Sequence, residues 1–169
     1  NLHGLFFRGT KMKLQVHAAA LAAAALLFLL PAAAQQKPYE PQVGQAGKDV
    51  IWVPTPDEVV DRMLTMAQVK PNDIVYDLGA GNGKIAIAAA KKFGATATGI
   101  EYNPDMAKHA QGNVVAAGVQ NKARIMQGDI FATDFSQATV VTMYLLPALN
   151  MKLRPTLLAM KPSTRVVSH

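Results

Sequence analysis

The ten-residue stretch Val75-Tyr76-Asp77-Leu78-Gly79-Ala80-Gly81-Asn82-Gly83-Lys84 limits what this chain can fold into more than any other segment. An apolar run with one carboxylate breaks into three alternating glycines, and a helix-forming stretch follows directly. Glycine accepts positive φ and lets other atoms approach its backbone, so the pattern predicts a short buried strand turning sharply into a helix. Such turns belong to βαβ architecture, where ligand-binding loops gather at the carboxyl ends of parallel strands.

The period of the apolar residues changes regularly on either side. Thr55-Pro56-Asp57-Glu58 reads as a capping box, with Thr55 as N-cap, Pro56 in the first helical position and Glu58 reaching back to the Thr55 amide. The helix it opens is expected to end near Val69, before Pro71. Strands are predicted at Asp73 to Leu78, Ala95 to Glu101, Ala123 to Gln127, Ala138 to Tyr144 and Thr164 to Ser168. Helices are predicted at Gly83 to Phe93, Pro104 to Ala117 and Pro147 to Met160, the last with Leu149, Leu153 and Leu157 inward. This alternation means an α/β fold, a parallel sheet with right-handed crossovers and helices on both faces.

The amino-terminal third is of a different kind. Met12 and Lys13 precede an apolar run from Ala18 to Leu30, then Pro31 and Ala32-Ala33-Ala34. This has the form of an export signal cleaved near Ala34, with residues 1–11 upstream of the start at Met12. The run is thirteen residues long, short of the roughly 20 that span a bilayer. The expectation is therefore an exported, periplasmic domain, with an uncut anchor holding the domain in the cytoplasm as the alternative. Residues 35–49 read as a linker or an arm, and residues 50–169 as the single folded domain.

Composition excludes several function classes. From residue 35 onward fourteen basic side chains face eleven acidic ones, too mild an excess for a nucleic-acid surface. The chain has no cysteine, so disulfides, thiolate-bound zinc and cysteine nucleophiles are out. No metal is expected.

Three readings compete for the glycine turn. A Walker loop needs Gly where Leu78 stands and a hydroxyl where Ile85 stands. A dinucleotide fingerprint needs G-x-G-x-x-G, whereas Gly79, Gly81 and Gly83 give G-x-G-x-G, and the Asp77 carboxylate would repel a pyrophosphate. That carboxylate suits a ligand with a cationic amino-acid end. A plain tight turn would need neither three glycines nor the acid. Two further acids end the next strands. Glu101 stands where a carboxylate takes both hydroxyls of an adenosine ribose, and Asp129 with the Ile130 amide stands where an adenine edge would be met. Taken singly, Glu101 could be a solvated strand-end charge and Asp129 an ordinary turn residue. In order at successive strand ends they form one site.

At this point Asp77-Leu78-Gly79-Ala80-Gly81-Asn82-Gly83 resembles the first motif of class I S-adenosylmethionine-dependent methyltransferases. Trp52-Val53-Pro54-Thr55-Pro56, Gly99-Ile100-Glu101-Tyr102-Asn103-Pro104, Gln127-Gly128-Asp129-Ile130-Phe131 and Val141-Thr142-Met143-Tyr144-Leu145-Leu146-Pro147 are similar to the group containing archaeal broad-specificity protein-lysine methyltransferases and the mitochondrial lysine methyltransferase of the ATP synthase c subunit. The resemblance implies a Rossmann-like sheet, S-adenosylmethionine as cofactor and a protein lysine as acceptor. Asp77, Gly79 and Gly81 would hold the methionine end, Glu101 the ribose, and Asp129 with Ile130 the adenine, with Asn103 also among the cofactor-binding residues. Tyr144 would wall the acceptor channel, with Trp52 and Pro54 closing over the cofactor; a packing role for Trp52 or Tyr144 is the alternative. The class also implies seven strands, so a chain read as five strands is expected to be a fragment lacking the carboxyl-terminal β-hairpin. Neither His109, mid-helix, nor His169, the last residue, reads as a general base. Beside transfer to lysine stand two other readings, an exported cofactor-binding domain without turnover and a small-molecule methyltransferase. The first is prompted by location, because the cofactor is made in the cytoplasm.

Overall fold

The computed structural model describes residue 37 and residues 39–169, so the signal-type segment lies outside the described residues. Five parallel strands form one sheet: β1 (Ile74–Leu78), β2 (Thr96–Glu101), β3 (Ala123–Gln127), β4 (Val140–Met143) and β5 (Arg165–Ser168). Helix α1 (Asp57–Met66) precedes β1, and α2 (Lys84–Phe93), α3 (Pro104–Ala116) and α4 (Pro147–Leu158) connect later strands. The spatial order β3-β2-β1-β4-β5 shows the chain winding outward from β1 in one direction and then returning to its other side. The winding therefore reverses between β1 and β4, which opens a crevice at their carboxyl ends.

Strand alternation sorts the core onto two faces. Val75, Ala97, Ala123 and Val140 join Leu64 of α1, Ile85 and Ala89 of α2 and Val114 of α3 on one side. Tyr76, Leu78, Ile100, Val141 and Met143 meet Phe135 and Leu153 on the other. In α4 Leu153 alone is buried, while Leu149 and Leu157 are half-buried. Leu153→Ala is expected to cost about 2–5 kcal/mol in denaturant unfolding, the range for emptying a buried leucine site. Hydrogen exchange should then rise mainly in α4.

The capping box is corrected. Pro56, not Thr55, is the N-cap of α1, and no side chain caps it. The Pro56 carbonyl accepts from the Val60 amide at 3.0 Å, while the Thr55 carbonyl accepts from Lys84 Nζ at 3.3 Å. The helix also stops three residues short of Val69. Gln68 adopts φ 49°, and the Val69 and Gln68 amides bond the Leu64 and Thr65 carbonyls at 3.2 and 2.9 Å. This is a Schellman closure made by a glutamine in the place glycine usually takes. The Ala138 to Tyr144 strand is shorter than expected as well, running Val140–Met143.

Edge strand β5 is tied down by charge. Arg165 pairs with Asp73 and donates from Nη1 to the Ala67 and Gln68 carbonyls, both at 2.9 Å. Burial pushes the Asp73 carboxyl up, but the Thr139 hydroxyl, the Lys70 amide and Arg165 outweigh it and hold it below the ordinary value.

Residues 39–52 form the arm. Two backbone bonds close it, the Gly44 amide donating to the Trp52 carbonyl and the Trp52 amide to the Gln45 carbonyl, both at 2.9 Å. Ala46 and Ile51 form an antiparallel bridge, and the Tyr39 ring stands edge-on to His109 of α3 at 6.0 Å. Among the described residues no helix is long and apolar enough to cross a membrane, and no group of acids and histidines could hold a metal ion.

Candidate active site

A cavity of about 420 Å³ opens at the reversal of the winding, within the ~300–1,000 Å³ typical of small-molecule sites. Asp77, Gly79, Gly81, Glu101, Asp129, Ile130, Tyr144 and Trp52 all line it. Two expected members do not. Asn103 is the N-cap of α3, its Oδ1 accepting from the Asp105 and Met106 amides at 2.9 and 3.0 Å. Its contribution to the site is its backbone, which donates to Glu101 Oε1 at 2.9 Å. Pro54 is half-buried outside the cavity, between Val53 and Thr55, which line it.

The three acids have distinct surroundings. Asp77 is 2% exposed, and its Oδ1 accepts from Thr142 Oγ1 at 2.8 Å. The contact follows from register, since Asp77 pairs with Thr142 across β1 and β4. Burial pushes the Asp77 carboxyl up to about 7, against the pull of Thr142 and with some help from the Glu101 charge. Glu101 accepts from the Gly81 amide on Oε2 and the Asn103 amide on Oε1, both at 2.9 Å. Burial raises its carboxyl too, and those amides act in the opposite sense. Each Glu101 oxygen keeps a further lone pair. Asp129 accepts from the Phe131 amide at 2.9 Å and pairs with Lys48 of the arm at 2.6 Å. The Lys48 ammonium also lies 4.9 Å from the centre of the Tyr102 ring. The carboxylate expected to meet an adenine edge is thus held by the arm.

The glycine turn is fastened to β2, with the Gly79 and Ala80 amides both on the Ile100 carbonyl at 3.0 and 2.9 Å. Gly99 makes room for it, because a Cβ there would lie 2.6 Å from the Ala80 Cβ. The space freed at Gly79 and Gly81 is filled by the protein itself. A Cβ on Gly79 would meet Leu145 at 2.8 Å and one on Gly81 would meet Trp52 Nε1 at 2.6 Å. Gly81 also has φ 53°. Gly81→Ala is expected to lose about 1–3 kcal/mol of stability from strain and overpacking, and to loosen cofactor binding by displacing Trp52. Thermal melts and a cofactor titration check both. Lys84 has its ammonium on Asp57 at 2.7 Å, so it serves the junction of α1 and α2, not a phosphate.

The model of the ANTKMT methyltransferase domain family matches residues 77–169, from the buried acid of β1 to the end of β5. The chain belongs to this methyltransferase family. A protein-lysine N-methyltransferase of Saccharolobus islandicus is 50% identical over 122 residues, 71% of this chain and 76% of that protein. The human lysine N-methyltransferase of the ATP synthase c subunit is 31% identical over 106 residues, 63% of this chain and 45% of that protein, so the chain spans less than half of it. A solved structure described as an RNA methyltransferase from Salinibacter ruber in complex with S-adenosyl-L-homocysteine is 53% identical, with TM-score 0.67, covering 69% of this chain and 76% of that one.

S-adenosylmethionine is therefore the cofactor, and this methyltransferase's cavity fits it. A buried acid lies under the turn, a carboxylate with free lone pairs ends β2, and the Ile130 amide has no partner among the described residues. Sequence reasoning missed two lining residues of consequence. Lys48 lay in a stretch with no period to place it. His169 does not read as a functional residue from its position in the sequence, yet its ring lies 5.2 Å from that of Tyr144 and lines the cavity. The signal was present: His169 follows β5 as Tyr144 follows β4, at the strand ends where the three acids were found.

Proposed function

We propose that this methyltransferase acts on the ε-amine of a lysine in a protein. The observation that carries this reading is the make-up of the cavity beyond β4, where Tyr144, Leu145, Leu146 and Leu149 meet Trp52 of the arm. An apolar wall suits the four-carbon lysine stem. A nucleobase needs polar partners for its edges, and the segment after β4 offers only the Tyr144 hydroxyl. The names of two relatives of similar identity point to different acceptors, protein lysine and RNA, and the wall favours the first.

The bound cofactor supplies a methyl group on a positively charged sulfur. In this reading the chain's own residues do the rest by placement. Asp77 faces the cationic methionine end, Glu101 accepts from the ribose hydroxyls, and Asp129 with the Ile130 amide meets the adenine. Alignment of amine and methyl can supply most of the rate in such a displacement. The amine must be neutral, against an ordinary lysine pKa of ~10.4, and an apolar wall disfavours the ammonium.

The test is to incubate the full chain and S-adenosylmethionine labelled in its methyl group with lysine-rich protein or with total RNA. Label recovered as methyllysine is the expected result, and label in RNA alone would overturn the reading. Export is proposed on the same footing, and a mature amino terminus at Gln35 would support it.

A further inference from the structure

We propose that His169 is the group that removes the proton from the incoming lysine ammonium, which rests on the lysine reading above. The neutral amine is a requirement of the reaction, and a group beside the acceptor wall that accepts the proton would speed it. Apart from Asp49, the other acids and lysines around the cavity are engaged. Asp129 is paired with Lys48 and Lys84 with Asp57. Asp77 is buried beneath the turn on Thr142, and Glu101 holds two amides. Asp49 is exposed on the arm, and Tyr102 lies under Lys48.

His169 differs from all of these. Its side chain has no hydrogen-bond or ion-pair partner among the described residues, and it stands beside Tyr144 with the two rings 30° apart. Its backbone is fixed, because the His169 amide donates to the Met143 carbonyl at 3.2 Å. The residue before it is fixed too, since Asn150 Nδ2 of α4 donates to Ser168 Oγ at 2.7 Å. The ring is thus carried on a strand end bonded to β4 and α4, next to the acceptor wall, with neither nitrogen bonded by another described residue. Imidazole is the side chain best suited to exchange a proton near neutral pH.

In the step, an N–H bond of the ammonium breaks, its electron pair stays on nitrogen, and the proton passes to an imidazole nitrogen of His169. The amine nitrogen then forms its bond to the methyl carbon as the carbon–sulfur bond breaks, that pair returning to sulfur. The methylated nitrogen becomes an ammonium again, and His169 returns its proton to water. The Tyr144 ring orients the imidazole and lies beside the cation, where its face attracts positive charge.

The test uses the full chain with His169→Gln and His169→Ala. Cofactor affinity by titration should match wild type, which shows that the domain is folded. The rate of methyllysine formation should fall about 10²-fold at about pH 7 with acceptor KM little changed, as expected for loss of a proton-transfer group. The deficit should close toward about pH 10, where lysine begins to lose its proton unaided, and added imidazole should restore part of the rate to His169→Ala. An undiminished rate in His169→Gln, or a loss of the same size at both pH values, overturns the assignment while leaving the lysine reading intact. Absence of methyllysine from the wild-type reaction overturns both.

Discussion

Glu101→Ala should weaken S-adenosylmethionine binding by at least tenfold and leave the fold standing. With Glu101 assigned to the ribose, two hydroxyl contacts to a charged acceptor would be removed, each worth roughly 1.5–3 kcal/mol, and loss of one alone gives the tenfold figure. A second effect acts in the same direction. The carboxylate also holds the Gly81 and Asn103 amides, so its removal frees the glycine turn from the end of β2. Glu101→Gln should be nearly as poor, because its amide nitrogen would face one of those N–H groups instead of accepting from it. Titration calorimetry with S-adenosylmethionine, alongside circular dichroism melts, separates binding from folding. Unchanged affinity in a folded Glu101→Ala chain would remove the ribose assignment.

Asp77→Asn should make the protein more stable and bind its cofactor worse. Burial holds the Asp77 carboxyl up at about 7 in the folded chain, against ~3.9 in an unfolded one. A carboxyl raised on folding contributes its full share below the unfolded value and loses it as pH rises through the folded value. The loss by about pH 8 is on the order of 4 kcal/mol. Asparagine keeps an oxygen for the Thr142 hydroxyl and never ionises. The variant should therefore melt several degrees above wild type at about pH 8 and close to it at about pH 4, where both side chains are neutral. With Asp77 assigned to the cationic methionine end, binding would call for the ionised carboxylate, so wild-type affinity should rise from about pH 5.5 to about pH 7.5 and that of Asp77→Asn should not. Equal melting points at the higher pH would show that the buried carboxyl does not strain the fold. This is the pattern of a site that trades stability for function.

The arm presents a related trade on the surface. Lys48 holds Asp129 below the ordinary carboxylate range and bridges it to the Tyr102 ring. Both partners lie along the β2 and β3 strand ends where the adenine assignment falls. The arm therefore reaches the cavity through an ion pair between two of its lining residues, and exposed ion pairs are weak.

What the amino-acid sequence determined by itself was everything that repeats with a period or is forced by local backbone chemistry. The five strands and four helices of the described residues are legible because the apolar spacing switches between two and 3.6 residues, and β3 spans Ala123–Gln127, the range that spacing predicts. Asp77, Glu101 and Asp129 were legible because parallel α/β sheets put functional side chains at strand ends. Helix ends were less so. Thr55 and Glu58 have the composition of a capping box, yet Lys84, twenty-nine positions away in α2, takes the Thr55 carbonyl, and no local rule contains that contact. The remainder belonged to tertiary structure. Only strand register sets Thr142 beside Asp77 and the end of β5 beside the end of β4, and so only the fold brings His169 to Tyr144. Only the folded arm brings Lys48 to Asp129, eighty-one residues on. Pairings of this kind depend on which strands become neighbours and how far they slide, and those are settled by burial of the whole sheet, not by any window of the chain.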